Sequence, residues 1–325
     1  MAGVSVTTVS HVVNGTATIS QTVTDRVNAV VEQLGYRAKP VTQMRDGKRT
    51  IGIFAPDIAN EFYAACIQVI FEEAWNHGYA VMVCDTRHHA RAESSYIKSL
   101  VAGGVCGLIF LGGIGGEDAI LAAAKQIPVV LGDRSIPGQS LDCVVTDNAE
   151  IMRRMVGRLA GTGYRRLGFV GQDLEMSNVR DRFRGFEAGL EENGLELNPE
   201  WVHLSASLRL NKANGAGALI RKELSAGRTV PQIYLCSSDL IAVGVMAALQ
   251  EAGYRVPRDI GVVGFDDISI ASCTQPPLTT IAQNIPQLGK HCFSALLARM
   301  EESGEHPATE IVVNAKIIQR GSVRL

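Results

Sequence analysis

Ile51-Gly52-Ile53-Phe54-Ala55 is a short, unbroken apolar run; an amphipathic stretch from Phe62 to His77 follows, then a second run, Ala80-Val81-Met82-Val83-Cys84. Apolar runs of this length without polar alternation are strands covered on both faces, and such strands separated by helices form parallel sheets. The pattern continues outward. A helical stretch at 91–102 leads to Gly107-Leu108-Ile109-Phe110-Leu111, and another at 117–125 leads to Pro128-Val129-Val130-Leu131-Gly132. After residue 148 it restarts, with strands at Arg166–Val170, Gln232–Cys236 and Ile260–Gly264 and helices near 149–162, 180–194, 212–226 and 239–253. Two similar α/β halves predict two parallel sheets flanked by helices, with a cleft at the strand C-terminal ends where open sheets take ligands.

Upstream of this body the composition changes. Residues 1–50 carry six Lys/Arg against three Asp/Glu, whereas the remaining 275 carry 25 against 30. Basic charge is therefore concentrated in a stretch too small to bury a core of its own, as a polyanion partner requires. Within it stands Gly3-Val4-Ser5-Val6-Thr7-Thr8-Val9-Ser10-His11-Val12-Val13-Asn14. Val6, Val9, Val12 and Val13 recur at helical spacing, Gly3 supplies a tight turn, Ser5 is placed as the N-cap and Asn14-Gly15 is a stop signal. A second helix begins near Ser20, with Val23, Val27, Val30, Val31 and Leu34 as its apolar stripe and Gly35 at its end. Two short helices joined by a turn, the first with a small polar face, match a helix-turn-helix DNA reader. A helical cap on a globular protein is the plainer alternative.

The wording of residues 3–14, followed by Gly35-Tyr36-Arg37, resembles the headpiece of the lactose and purine repressor family. Arg182-Phe183-Arg184-Gly185-Phe186, Ser238-Asp239-Leu240-Ile241-Ala242-Val243-Gly244, Gly264-Phe265-Asp266-Asp267 and Pro276-Pro277-Leu278-Thr279-Thr280-Ile281 resemble that family's sensor domain and the periplasmic sugar-binding proteins. The resemblance covers essentially the whole chain. It implies a partial headpiece at 1–36, a hinge or linker at 37–49 and a two-lobed effector domain at 50–325. The first lobe is expected at about 50–147 plus 268–282 and the second at about 148–267 plus 283–325, with crossings near 133–148, 267–277 and 281–286. The family's headpiece opens with a further helix before the Ala-Gly-Val-Ser turn, whereas here Met1 directly precedes Ala2-Gly3. The headpiece thus reads as truncated, with Val9, Val12 and Val27 lacking a partner, and as a weak operator binder.

By resemblance, Val6, Thr7 and His11 reach base edges. Val6 can meet a thymine methyl and Thr7 can hydrogen-bond an edge. Thr8, Ser10 and Asn14 are expected on phosphates. Met44, in Val41-Thr42-Gln43-Met44, matches the apolar wedge with which the family's hinge opens the minor groove; a flexible linker is the alternative. Asp133, Arg182, Ser238 and Asp266 follow strands or open helices, and with Gln283 and Phe62 they match the family's effector-pocket positions. Arg134, Asp147 and Arg180 are weaker candidates. Asp239 is expected to cap its helix, Asp266 could do the same, and Phe62 could be core. His88-His89 reads as an exposed loop. Gly112–Gly116 lacks the Lys-Ser/Thr of a nucleotide loop and reads as a strand-to-helix turn near the cleft.

Other chemistries find little support. Seven cysteines, odd in number and without a Cys-x-x-Cys pair, read as reduced thiols in a cytoplasmic protein, and no His/Cys cluster has zinc spacing. No run approaches a membrane span. There is no Gly-x-Ser-x-Gly elbow, metal-protease motif or convincing nucleophile–base pair, so no catalytic residue, metal or cofactor is expected. The partners expected are double-stranded palindromic operator DNA, a small sugar or sugar-derivative effector and a second copy of the chain. The alternative is a sugar-binding module with impaired DNA binding.

Overall fold

The computed structural model describes residues 3–5, 8, 9, 12, 19–33, 49–301 and 307–325. The chain divides into two units, Met1–Lys48 and Arg49–Leu325.

In the small unit, Gly3 takes φ +63°, and Ser5 caps the turn that follows, its Oγ accepting from the Thr8 N–H at 3.1 Å. Helix α1 spans Gln21–Gln33. Four residues of its expected apolar stripe are covered, Val27 at 1% exposed and Val23, Val30 and Val31 half-buried, while Leu34 and Gly35 lie outside the described residues. Val27 is therefore covered, against the expectation that it lacks a partner. The Thr8 hydroxyl lies 2.8 Å from Ser5 Oγ. Val6, Thr7, Ser10, His11, Asn14 and Met44 lie outside the described residues.

The large unit contains two six-stranded sheets. The first takes β1 (Arg49–Ala55), β2 (Tyr79–Asp85), β3 (Gly107–Leu111), β4 (Val129–Gly132), β5 (Asp142–Thr146) and β11 (Glu310–Val313), in the order β11-β5-β4-β3-β1-β2, all parallel. The second takes β6 (Leu167–Gly171), β7 (Val202–Leu204), β8 (Ile233–Cys236), β9 (Gly261–Asp266), β10 (Thr279–Ala282) and β12 (Lys316–Ile318), in the order β12-β10-β9-β8-β6-β7. Among the described residues only the β10–β12 pair is antiparallel. Each sheet begins on an inner strand, runs outward one way, then returns and runs the other way. The reversal leaves a crevice beyond the strand C-termini, between the loops after β1 and β3 and between those after β6 and β8.

Helices α2 (Glu61–Asn76), α3 (Ala90–Ala102), α4 (Glu117–Ala124) and α10 (Ile285–Glu301) belong to the first lobe; α5 (Asn148–Gly161), α6 (Ser177–Glu192), α7 (Lys212–Ser225), α8 (Asp239–Glu251) and the short α9 (Ile270–Cys273) belong to the second. Each sheet has an apolar layer on both faces, as its unbroken runs require.

The lobe boundaries need correction. Residues 268–282 were expected in the first lobe, but β10 pairs with β9 in the second sheet. Residues 283–313 were expected in the second, but α10 packs on α2 and β11 pairs with β5. Gly289 makes the α10 contact possible, since a Cβ there would lie 2.8 Å from Val69 Cβ. The chain crosses at Thr146–Asn148, at Ala282–Ile285 and at Val313–Lys316, not within 267–277. These crossings are laced together. Thr146 Oγ1 donates to Gln283 Oε1 at 2.5 Å, the Asp147 N–H to the Val313 carbonyl at 3.1 Å, and the Ala315 N–H to Asp147 Oδ1 at 2.9 Å.

Candidate ligand-binding cleft

Four of the six residues singled out from sequence for the cleft converge on one buried cluster. Asp133 follows β4 with φ +50°, a left-handed backbone held by its N–H donating to the Val144 carbonyl at 2.8 Å. Asp266 ends β9 at φ +113°, and Asp267 follows at +60°. Arg182 comes from the second turn of α6, and Gln283 from the crossing after β10. Asp133 is 2% exposed and Arg182 3%.

Arg182 is the centre. Its Nε donates to Asn148 Oδ1 at 2.8 Å and its Nη1 to the Ser237 carbonyl at 2.6 Å. Its guanidinium lies over the Phe265 ring, 3.6 Å from the centroid. Those contacts fix the plane of the side chain. The same guanidinium faces both acids without bonding either: Nη1 is 3.8 Å from Asp266 Oδ1, and Nη2 is 3.9 Å from Asp133 Oδ1. Arg182 Nη2 and Asp133 Oδ1 are both buried without a hydrogen-bond partner among the described residues. Leaving such groups unmade costs about 1–3 kcal/mol each, so a native pair left open calls for an explanation. An atom between them must accept from the arginine and donate to the carboxylate. A hydroxyl does both.

The acids are held from behind. Asn178 Nδ2 donates to Asp133 Oδ2 at 2.7 Å, and Gln283 Nε2 donates to Asp266 Oδ1 at 2.8 Å. Burial, opposed by Arg182 and reinforced by the charge of Asp266, pushes the Asp133 carboxyl up to about 7. Burial also raises Asp266, again against Arg182. A carboxyl raised in the folded state stabilises below its ordinary range near 4 and loses that contribution as pH rises toward 7. Asp133→Asn is therefore expected to flatten the fall in stability between pH 4 and 7. Urea midpoints across that range check it, and a variant as pH-dependent as the wild type would refute the assignment.

The other two residues are placed differently. Ser238 is buried, but its hydroxyl caps α8, accepting from the Ile241 N–H at 3.4 Å. Asp239 does not cap that helix, contrary to expectation. Its carboxylate instead accepts from the Ile268 N–H at 2.9 Å and the Thr280 hydroxyl at 2.5 Å, steadying the turn that carries Asp266. Phe62 is buried in the first lobe's apolar cluster, which also takes in Ile268 and Leu240 from the second lobe. Arg134 is buried beside Glu93, at 3.7 Å, and donates to the Gly115 carbonyl at 2.7 Å, bracing the Gly112–Gly116 turn between β3 and α4. Arg180 donates to the Leu174 carbonyl at 3.3 Å.

Asn148, Asn178 and Ser237 escaped the sequence reading, because each serves the site only through Arg182 or Asp133. Tyr63 escaped as well. It is buried, its hydroxyl lies against Gly112, and its pKa is raised well above the usual value, chiefly by burial and then by the charges of Asp133 and Asp266. A tyrosine beside a phenylalanine in an apolar helix face reads as core, and only the approach of the glycine turn brings it to the cleft. Among the described residues there is no group of three metal-ligating side chains and no helix long and apolar enough to cross a membrane.

Residues 156–323 match the periplasmic binding protein-like domain family, and residues 1–39 match bacterial regulatory proteins of the lacI family. The HTH-type transcriptional repressor PurR of Photobacterium profundum is 30% identical over 329 residues, covering 100% of this chain and 96% of its own. The repressor CytR of Escherichia coli K12 is 29% identical over 327 residues, covering 99% and 94%. Among solved structures, the Lac repressor dimer bound to operator and the anti-inducer ONPF superposes with a TM-score of 0.75 at 26% identity, over 99% of this chain and 96% of that one. These matches run from end to end of the chain, and the chain belongs to the LacI family of bacterial regulatory proteins.

Proposed function

We propose that this protein is a cytoplasmic, effector-responsive transcriptional repressor that binds a palindromic operator as a homodimer and senses a small polyhydroxylated molecule, a sugar or sugar derivative, between its lobes. The observation that carries the effector site is the open pair at its centre, Arg182 Nη2 and Asp133 Oδ1, 3.9 Å apart and unpartnered among the described residues. Polar groups left unpaired without ligand give such a site its discrimination, because a ligand lacking the matching hydroxyl leaves them unpaired still. Phe62, Tyr63, Asp266 and Gln283 complete the proposed pocket, and Ser238 borders it. Val6, Thr7 and His11 are proposed to read bases, Thr8, Ser10 and Asn14 to hold phosphates, and Met44 to wedge the minor groove.

An exposed apolar surface supports the dimer. Phe71 and Trp75, one turn apart on α2, are 49% and 73% exposed, and Met82 and Val83 stand exposed on β2, the edge strand of the first sheet. Exposed apolar side chains on and beside a sheet edge are the kind of surface that a partner chain covers. Ligand-driven closure of the lobes would alter how two such subunits sit, and so whether two headpieces match their half-sites.

Thermal-shift screening of the full chain against sugars, sugar acids, sugar phosphates and purines tests the reading. A true effector at about a hundred times its Kd adds roughly 2.7 kcal/mol of stability. The expected result is a hit among the polyhydroxylated compounds, with sedimentation as a dimer at micromolar concentration. A folded chain that responds to none of them would refute the effector class.

A further inference from the structure

His88 stands apart from the cluster around Arg182. It lies in the turn between β2 and α3, where Arg87 and His88 take φ +47° and +56° in succession. Two adjacent left-handed residues other than glycine are uncommon, and each costs on the order of 1 kcal/mol. The turn is held by the Arg87 N–H donating to Asp85 Oδ1 at 3.3 Å and the His89 N–H donating to the Thr86 carbonyl at 2.8 Å. It brings the half-buried imidazole within electrostatic reach of Lys212 and Arg209 from the second lobe and of Asp57 from the first, and its Nδ1 is buried with no hydrogen-bond partner among the described residues.

The groups facing it come from both sides of the seam between the lobes. From the second lobe, Lys212 opens α7, is buried, and donates to the Arg209 carbonyl at 3.1 Å. Arg209 is clamped by Asp173, with two bonds of 2.6 Å, and by Glu175 at 2.6 Å. From the first lobe, Asp57 reaches Lys212 at 3.7 Å. Each of the two cations already has a carboxylate. Three carboxylates already face the two cations, so the cost of a proton on His88 is its desolvation and an N–H at Nδ1 without an acceptor, not an excess of positive charge.

We propose that His88 is a proton-sensitive latch: the lobes close over a neutral imidazole, and protonation of His88 drives them apart. The latch rests on the two-lobed cleft and not on what occupies it, so it can be tested without an effector. Burial, followed by the charges of Lys212 and Arg209 and opposed by Asp57 and Asp173, lowers the His88 pKa to about 4. In the open state an imidazole in water titrates near 6.5. The closed state therefore binds fewer protons than the open one between those values, and closure weakens as pH falls through about 6.5. Between pH 7.5 and 5.5 the opening equilibrium should shift about tenfold. Asp133, raised in the closed cleft, acts with the opposite sign, so the contribution of His88 is the difference between the wild type and a His88 variant.

Two amides report on the seam. The Ser135 N–H donates to Ser177 Oγ at 3.0 Å and the Ser269 N–H to Glu61 Oε1 at 2.8 Å, each from one lobe to the other. Their hydrogen-exchange protection, corrected for intrinsic rates, is compared in the ligand-free full chain and in His88→Asn at pH 7.5 and 5.5. Asparagine tolerates the left-handed backbone and carries no titrating group. The expected result is a wild-type to variant protection ratio that falls about tenfold at the lower pH. A ratio that stays constant with pH, whatever its size, overturns the proposal. So does an imidazole NMR titration of the wild type that places His88 near 6.5.

Discussion

Arg182→Ala is expected to weaken effector binding by about thirtyfold or more. The guanidinium supplies the unpaired donor of the cleft, and truncating one member of a desolvated charge pair costs about 2–5 kcal/mol in binding. The variant is also expected to be less stable at pH 8 by about 3 kcal/mol or more, because Asp133 and Asp266 would remain buried with no cation between them. The loss of stability should shrink toward pH 5, where Asp133, raised to about 7 by burial, takes up a proton. Arg182→Lys is not expected to rescue binding. An ammonium cannot donate in one plane to Asn148 and Ser237 while lying flat over Phe265. Calorimetric titration with the best compound from the screen, and urea unfolding at pH 8 and pH 5, measure these effects. Unchanged affinity in Arg182→Ala would remove the cleft from the functional reading.

The second large effect comes from packing. Gly185 lies on α6, one turn beyond Arg182, where the helix crosses α5 with its backbone almost touching. A Cβ at Gly185 would drive into the Ala149 carbonyl oxygen and sit 2.8 Å from Ala149 Cα. Backbone cannot swing aside as a side-chain tip can, so Gly185→Ala must push the two helices apart. Overpacking costs about 1–3 kcal/mol, occasionally more, and rigid backbone on both sides places this case at the upper end. The expected fall in Tm is roughly 10 °C. Ala149 follows Asn148, the acceptor for Arg182 Nε, so the displacement should also weaken effector binding. Gly244→Ala tests the same principle at the α7–α8 crossing, 3.0 Å from Ala213 Cα and away from Asn148. It should lower Tm comparably. A Gly185→Ala protein as stable as the wild type would mean that the helices sit farther apart than described.

Much of the architecture was legible before any coordinates. The seven runs quoted from sequence are strands within a residue or two, and the helices between them begin and end close to the expected positions. The physical reason is that a strand buried on both faces must be apolar at every position, and a helix covering a sheet must be apolar every third or fourth. Where burial is partial, the signal fades. β11, Glu310-Ile311-Val312-Val313, has only its last residue fully buried, and β7 is half-buried throughout; neither was anticipated. Helix α10 had its pattern in Leu288, Cys292, Phe293 and Leu296, but a helical stripe does not say which sheet it will cover.

The same division runs through the site. From sequence alone came the order of strands and helices, the basic headpiece, and Asp133, Arg182, Asp266 and Gln283 at strand ends and helix starts, because local periodicity and family wording are written along the chain. Only the tertiary structure decided that the chain returns to the first lobe after Ala282, since that depends on α10 meeting α2 across more than two hundred residues. Only it decided that Ser238 caps α8 while Asp239 holds the Asp266 turn, a choice between adjacent polar residues made by the orientation of the helix start. It alone paired Arg182 with Asn148 and Ser237 and left Nη2 open toward Asp133, and it alone brought His88 within electrostatic reach of charges from both lobes. Those relations join residues far apart in sequence, and the local periodicities that specify a strand or a helix carry no information about them.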